Sequence, residues 1–232
     1  MRELDARNTI AAAAAGEPWA RRSHPRVDCY AATRPQEGHA ANEDAFLIGR
    51  GPIPCAALCD GAGNAQLAAK RVLALFEKLV GEATPTEVRN PATWRNWITL
   101  LDSSLLGGAQ STFVGLAIVE GMAAGACAGD SRAYLVDGEG GCRILTDGAA
   151  KYRLGSGRAE AFPFQHEMRR GDTLLLMSDG AWAPLGGPYL LRKAVVGAAT
   201  RHFSEVPGAV LDAASRAGRA DDMTCVAVRL AS

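Results

Sequence analysis

Apolar positions along this chain fall into two rhythms that alternate from residue 27 onward. Short β-prone runs at 27–33, 44–48 and 53–59 predict three strands near the start. A three-to-four spacing follows, in which Ala68, Val72, Leu75, Phe76, Leu79 and Val80 share one face, and Asn64 stands where an N-cap is needed. A second helix is predicted from Asn90-Pro91, with Trp94, Trp97, Ile98, Leu101 and Leu105 on its apolar side; tryptophans at that spacing are expected to pack in the core. Strand-like runs return at 112–119, 122–128, 132–136, 142–146 and 173–177, helical patterns occupy 189–200 and 206–217, and a last strand fits 224–230. Residues 147–170, with Gly148, Gly155 and Gly157, read as a loop. Strands, two helices, strands, two helices and a final strand predict an α+β sandwich in one domain over 25–232, preceded by a tail at 1–24 that is rich in Ala and Arg.

Composition narrows the function classes. Hydrophobic residues make up 48% and charged residues 22% of the 232, the balance of a globular protein with a packed core. Twenty-five Lys and Arg cancel twenty-five Asp and Glu, so no global field favours nucleic acid or an anionic membrane as a partner. No apolar run reaches the roughly 18 residues of a membrane span. The six cysteines form no C-x-x-C pair and sit mostly in apolar stretches, which predicts buried, reduced thiols and a cytoplasmic setting.

Candidate chemistry is acidic. Asp44, Asp60, Asp130, Asp179 and Asp221 stand at the ends of apolar runs, next to glycine or in turns. Any one of them fits ordinary turn chemistry. If their strands belong to one sandwich, the ends converge, and carboxylates brought together repel one another unless a cation neutralises them. Abundant carboxylate without His and Cys spacing favours hard, oxygen-loving Mg²⁺ or Mn²⁺.

The strings NEDAF (42–46), CDGAGN (59–64), GDSRAY (129–134), SDGAW (178–182) and DDMT (221–224) occur in the order found in the metal-dependent protein phosphatase (PPM, type 2C) family, and the chain resembles that family from about Val27 to Leu230. The resemblance implies a four-layer αββα sandwich of two antiparallel sheets flanked by helices. It also implies hydrolysis of phosphoserine or phosphothreonine on proteins by a water shared between two divalent metals. By the same resemblance, Asp60 is the bridging ligand with the Gly61 carbonyl beside it, Asp179 and Asp221 complete one metal, Glu43 and Asp44 hold metal-bound waters, and Asp130 belongs to a third, weaker site.

Four departures from the family pattern stand out. His39 occupies the place of an arginine that grips the substrate phosphate, which leaves His39, Arg132 and Arg21 or Arg22 as candidate anchors. Ala62 replaces a histidine present in many eukaryotic relatives, and Ala183 replaces an aspartate of the third metal site. The flap subdomain expected between Thr146 and Gly171 looks reduced. The leading expectation is a monomeric phosphatase acting on phosphoproteins, opposite a cognate serine/threonine kinase. Two alternatives are a catalytically weak, phosphatase-like binding module and a metal phosphohydrolase for small phosphate esters.

Overall fold

The computed structural model describes residues 26–38, 42–49, 51–62, 66–105, 108–218 and 221–231. The predicted tail at 1–24, His39 and the expected cap Asn64 lie outside them. The described residues form eleven strands and six α-helices: β1 (Val27–Arg34), β2 (Asp44–Gly49), β3 (Cys55–Ala62), α1 (Gln66–Glu82), α2 (Pro85–Val88), α3 (Pro91–Ser104), β4 (Gln110–Ser111), β5 (Phe113–Val119), β6 (Met122–Ala128), β7 (Arg132–Val136), β8 (Cys142–Ile144), β9 (Phe162–Glu167), β10 (Thr173–Met177), α4 (Asp179–Trp182), α5 (Pro188–Ala199), α6 (Val206–Gly218) and β11 (Met223–Leu230). One sheet runs in the order β1-β11-β10-β7-β8, the other β2-β3-β5-β6-β9 with β4 added to β3, and every pairing is antiparallel.

Alternation along the strands builds the layers. Leu174 and Leu176 of β10 point into the core between the sheets, together with Ala56 and Leu58 of β3 and Val226 and Val228 of β11. Their neighbours Leu175 and Met177 face α5 and α6, while Ala57 and Cys59 face α1 and α3. Strands buried on both faces read as continuous apolar runs, which is why LLLM and FVGLAIV carry no polar alternation. The expected αββα sandwich is therefore the observed one.

Two expectations change. The strand expected over 53–59 runs on to Ala62, because Gly61 and Ala62 pair with Ser111 and Gln110 of β4. Asp60 is thus inside a strand and not at its end. The stretch 147–170 is not all loop: β9 pairs with β6 at the sheet edge, where Pro163 is tolerated because an edge strand leaves one row of N–H groups unpaired.

Asn90 caps α3 by accepting from the Ala92 N–H, and Pro91 takes the first helical position. Trp94 and Trp97 are core residues as expected. They surround Phe76 of α1, which is fully buried with ring centroids 5.9 Å from Trp94, 6.3 Å from Trp97 and 5.1 Å from Phe113. The Trp94 indole N–H donates to the Val88 carbonyl at 2.7 Å, so its polar edge is satisfied. All six cysteines are free thiols, five of them buried. Phe76→Ala should lower the free energy of unfolding by about 3–5 kcal/mol, the range for emptying a buried aromatic site, whereas Leu67→Ala on the exposed side of α1 should change it by about 0.5 kcal/mol or less. Equal shifts of the two variants in urea denaturation would refute this account of the helix–sheet core.

Candidate metal centre

The strand register gathers the acidic residues. Asp44 of β2 lies directly opposite Asp60 of β3, so two carboxylates meet across one strand pair, an arrangement that costs energy unless something compensates. Asp130 follows β6 in the turn that leads to β7, and Asp179 opens α4 directly after β10. Carboxylate oxygens of Asp60, Asp130 and Asp179 lie within 4.8 Å of one another.

The main chain around Asp60 is locked from both sides. Its N–H donates to Thr112 Oγ1 at 3.0 Å, and its carbonyl accepts from the Thr112 N–H at 2.8 Å and from Ser111 Oγ at 3.0 Å. Thr112 Oγ1 in turn lies 2.7 Å from Ser131 Oγ, beside Asp130. Gly61 donates its N–H to the Glu43 carbonyl, which sets the start of β2 against the end of β3.

Asp44 is buried and binds the other sheet. Ser178 Oγ donates to Asp44 Oδ2 at 2.8 Å and accepts from the Thr224 N–H at 2.9 Å. The Ser178 hydroxyl is therefore engaged with Asp44 and does not cap α4. Asp222 of the DDMT string is a latch that sequence reasoning did not single out. Its buried carboxylate accepts from the backbone N–H groups of Gln36 and Glu43 and so closes the segment that carries the acidic pair Glu43-Asp44. Gly180 is required by the same junction: a Cβ there would stand 2.0 Å from the Asp222 carbonyl.

Asp221 is exposed, and its carboxylate accepts from the Asp222 N–H; it is not one of the three clustered groups, but its charge acts on Asp179. Glu43 is half-buried at the entry to β2. Arg132 stacks its guanidinium 3.5 Å over the Trp182 ring, while the Trp182 indole donates to the Asp130 carbonyl. Arg21, Arg22 and His39 fall outside the described residues. Ala183 helps line a cavity of about 210 Å³ with Asp130, Arg132, Lys151, Asp179 and Trp182. A larger groove of about 540 Å³ between α5 and α6 lies elsewhere, and its one acidic residue, Asp212, is paired with Arg34.

A second residue absent from the sequence reading is Arg153, in the stretch read as loop. Its Nη2 stands 3.8 Å from Asp60 Oδ2 and 3.9 Å from Asp130 Oδ1. The signal in sequence was only a lone arginine between Tyr152 and Leu154, which no periodicity marks.

Electrostatics follow from this geometry. Burial first, and then the charges of Asp44, Asp179 and Asp130, push the Asp60 carboxyl up to about 8, with Arg153 opposing the shift. Burial likewise raises Asp44 to about 7 against the hydrogen bonds from Thr224 and Ser178, and Asp179 is raised by burial and by Asp130 and Asp221. Asp44 Oδ1 and Asp130 Oδ1 are buried with no hydrogen-bond partner among the described residues. Orphaned carboxylate oxygens beside a repelling trio are the donor set that a hard divalent cation requires, so the residues present fit Mg²⁺ or Mn²⁺.

Comparison with known proteins agrees with this geometry. The structure matches the catalytic domain of the serine/threonine protein phosphatase PstP, in complex with two manganese ions, at 20% identity and a TM-score of 0.75, covering 89% of this chain and 99% of that one. It matches the serine/threonine phosphatase of S. agalactiae at 17% identity and a TM-score of 0.76, covering 88% and 100%. It also matches the serine/threonine phosphatase Stp1 from Staphylococcus aureus at 19% identity and a TM-score of 0.77, covering 89% and 96%. At these identities the likeness establishes the fold. No curated protein matches the sequence significantly. The family model described as Stage II sporulation protein E (SpoIIE) matches residues 57–231, most of the chain, and takes in Asp60, Asp130, Asp179 and Asp221. On that match the chain belongs to the SpoIIE family, within the metal-dependent PPM phosphatases.

Proposed function

We propose that this chain hydrolyses phosphoserine or phosphothreonine on proteins with two Mg²⁺ or Mn²⁺ ions. The observation that carries this reading is the trio of carboxylates within 4.8 Å at one end of the sandwich, with Asp60 raised to about 8. A fold gains nothing from buried, mutually repelling carboxylates unless a bound cation offsets the cost. Asp60 and Asp179 would hold the two ions, with Asp221 and the Gly61 carbonyl as further ligands, Asp130 at a third, weaker site, and Glu43 and Asp44 accepting from ordered water. When bound, two divalent ions supply an activated water and neutralise phosphoryl oxygens.

The chain's own residues supply position. The Thr112 and Ser111 bonds keep Asp60 from turning away, and Ser178 fixes the rotamer of Asp44. Monoester hydrolysis asks a catalyst for roughly 20 kcal/mol, which fixed charges in a pre-set site are suited to provide. Six free thiols support a cytoplasmic setting. We further propose a monomer working opposite a serine/threonine kinase that makes its substrate.

A binding-module reading is favoured by one observation, the presence of Ala183 beside Asp130 and Asp179 where a third metal's aspartate is expected. Turnover separates the two. With Mn²⁺, the protein should release phosphate from p-nitrophenyl phosphate and from a phosphothreonine peptide; release from the small ester alone would indicate a phosphohydrolase of small molecules, and release from neither would favour a binding module. Asp60→Asn should abolish turnover, and Asp130→Asn should reduce it less, because Ala183 already weakens the site that Asp130 would share. Equal losses in the two variants, both folded by circular dichroism, would contradict that ranking.

The carboxyl shifts give a second test. Asp60 and Asp44 bind protons more tightly in the native state than in the unfolded chain, where a carboxyl titrates near 4, so their contribution is fully present below about pH 4 and is lost as pH rises through about 7 and 8. In EDTA the melting temperature should therefore fall between pH 5 and 8.5, and saturating Mn²⁺ should raise it and flatten the decline. Melting that is flat with pH in EDTA and insensitive to Mn²⁺ would remove the electrostatic basis of the proposal.

A further inference from the structure

Arg153 stands at the edge of the carboxylate trio without bonding to it. A charge-assisted hydrogen bond between guanidinium and carboxylate spans about 2.7–2.9 Å, whereas Arg153 Nη2 is 3.8 Å from Asp60 Oδ2 and 3.9 Å from Asp130 Oδ1. Among the described residues no acceptor takes a hydrogen bond from its guanidinium. The side chain is three-quarters buried, yet its forked donors are uncommitted.

The backbone that carries Arg153 is held on both sides. Leu154 is fully buried, and it exchanges two hydrogen bonds with Ser111, its N–H to the Ser111 carbonyl at 2.8 Å and its carbonyl from the Ser111 N–H at 3.2 Å. Ser111 also donates its hydroxyl to the Asp60 carbonyl, so Arg153 is tied through one residue to the strand that carries Asp60. On the other side, Asp102 Oδ1 accepts from the N–H of Gly155 at 2.6 Å and of Gly157 at 3.2 Å. Gly155 has φ +87°, and a Cβ there would stand 2.9 Å from the Ala109 carbonyl, so the turn admits glycine and little else. Asp102 is buried in the last turn of α3, where the helix dipole disfavours a negative charge. Its bonds to the loop account for an aspartate there.

A planar fork carried on a fixed stretch of backbone, paired by charge but not hydrogen-bonded to Asp60 and Asp130, beside a divalent-metal centre, matches a tetrahedral dianion. Resting on the metal-centre reading above, we propose that Arg153 grips the phosphoryl group of the substrate, and the phosphate product after it, and that Asp102 is the residue that positions Arg153. The fork comes from the segment between β8 and β9, a different part of the chain from the His39 position. A phosphoryl group held at the fork through two of its oxygens would leave the others to the cations.

Titration calorimetry on the full chain tests this in two steps, Mn²⁺ first and then inorganic phosphate into Mn²⁺-saturated protein. Arg153→Ala should weaken phosphate binding about tenfold to a hundredfold, the effect of losing charged hydrogen bonds, without weakening Mn²⁺. Arg153→Lys should recover part of that loss. Asp102→Ala, which removes no group from the centre, should weaken phosphate severalfold, while Asp102→Asn should stay near wild type because its amide oxygen can still accept from both glycine N–H groups. A role of Asp102 in stability alone would move the melting temperature and leave phosphate affinity untouched. If Asp102→Ala does not fold, the Arg153 pair decides the matter. In parallel, Arg153→Ala should raise the KM of a phosphothreonine peptide. Phosphate affinity unchanged in Arg153→Ala, with Mn²⁺ bound more tightly, would overturn the assignment and leave Arg153 as a counter-charge to Asp60 and Asp130. A wild type that takes up no Mn²⁺ would instead overturn the metal centre, and this assignment with it.

Discussion

Repulsion among Asp44, Asp60, Asp130 and Asp179 is the constraint on which the rest of the site depends. Each strand that delivers one of them is held by apolar packing on both faces and by antiparallel ladders, so the carboxylates cannot move apart without disrupting a ladder or the packing between the sheets. The fold therefore stores an electrostatic cost at one end of the sandwich and offsets it at a distance, through the aromatic cluster around Phe76 and the three apolar layers. Protons relieve part of the cost in the ion-free protein: burial first, and then repulsion from Asp44, Asp179 and Asp130, holds the Asp60 carboxyl near 8. Divalent ions relieve it without neutralising the donors, and this makes ion uptake and deprotonation one coupled event.

Much of this was legible in the sequence, and the exceptions have physical causes. Helices α1 and α3 carry their periodicity openly, and Asn90-Pro91 marks a start that the structure repeats. Strands buried on both faces are readable as short apolar runs bounded by glycine, so β5, β6, β10 and β11 appear within a residue or so of their expected limits. What was hidden depends on partners. The extension of β3 past Cys59 needs β4, a two-residue strand far along the chain. β9 contains a proline and only one buried residue, Phe164, so no rhythm exposes it. The acidic residues of the site announce themselves by their glycine neighbours, and Asp60, Asp130 and Asp179 do come together. Arg153, Asp102 and Asp222 do not announce themselves, because each acts through a contact with a segment distant in sequence.

The network also shows a division of labour within paired acidic residues. In DDMT, Asp221 faces outward toward Asp179, while Asp222 turns inward and ties two backbone amides of another segment. The two neighbours differ in what they touch and not in chemistry. Reading such a pair from sequence as one acidic patch misses that one member shapes the entrance to β2 and the other contributes charge.

The bond from Ser178 to Asp44 has a mechanical consequence. The two sheets meet through side chains such as Ala56, Leu58, Val114, Leu174 and Val226, apolar contacts that have no intrinsic direction. Ser178 leaves one sheet and Asp44 belongs to the other, so their hydrogen bond acts as a rivet at the end where alignment matters. A slip of one sheet over the other by a single residue, some 3.3 Å along a strand, would carry Asp179 away from Asp60. Such a slip would break this bond, and at the far end of the sandwich it would also break the bond between His166 of β9 and Asp172 just before β10.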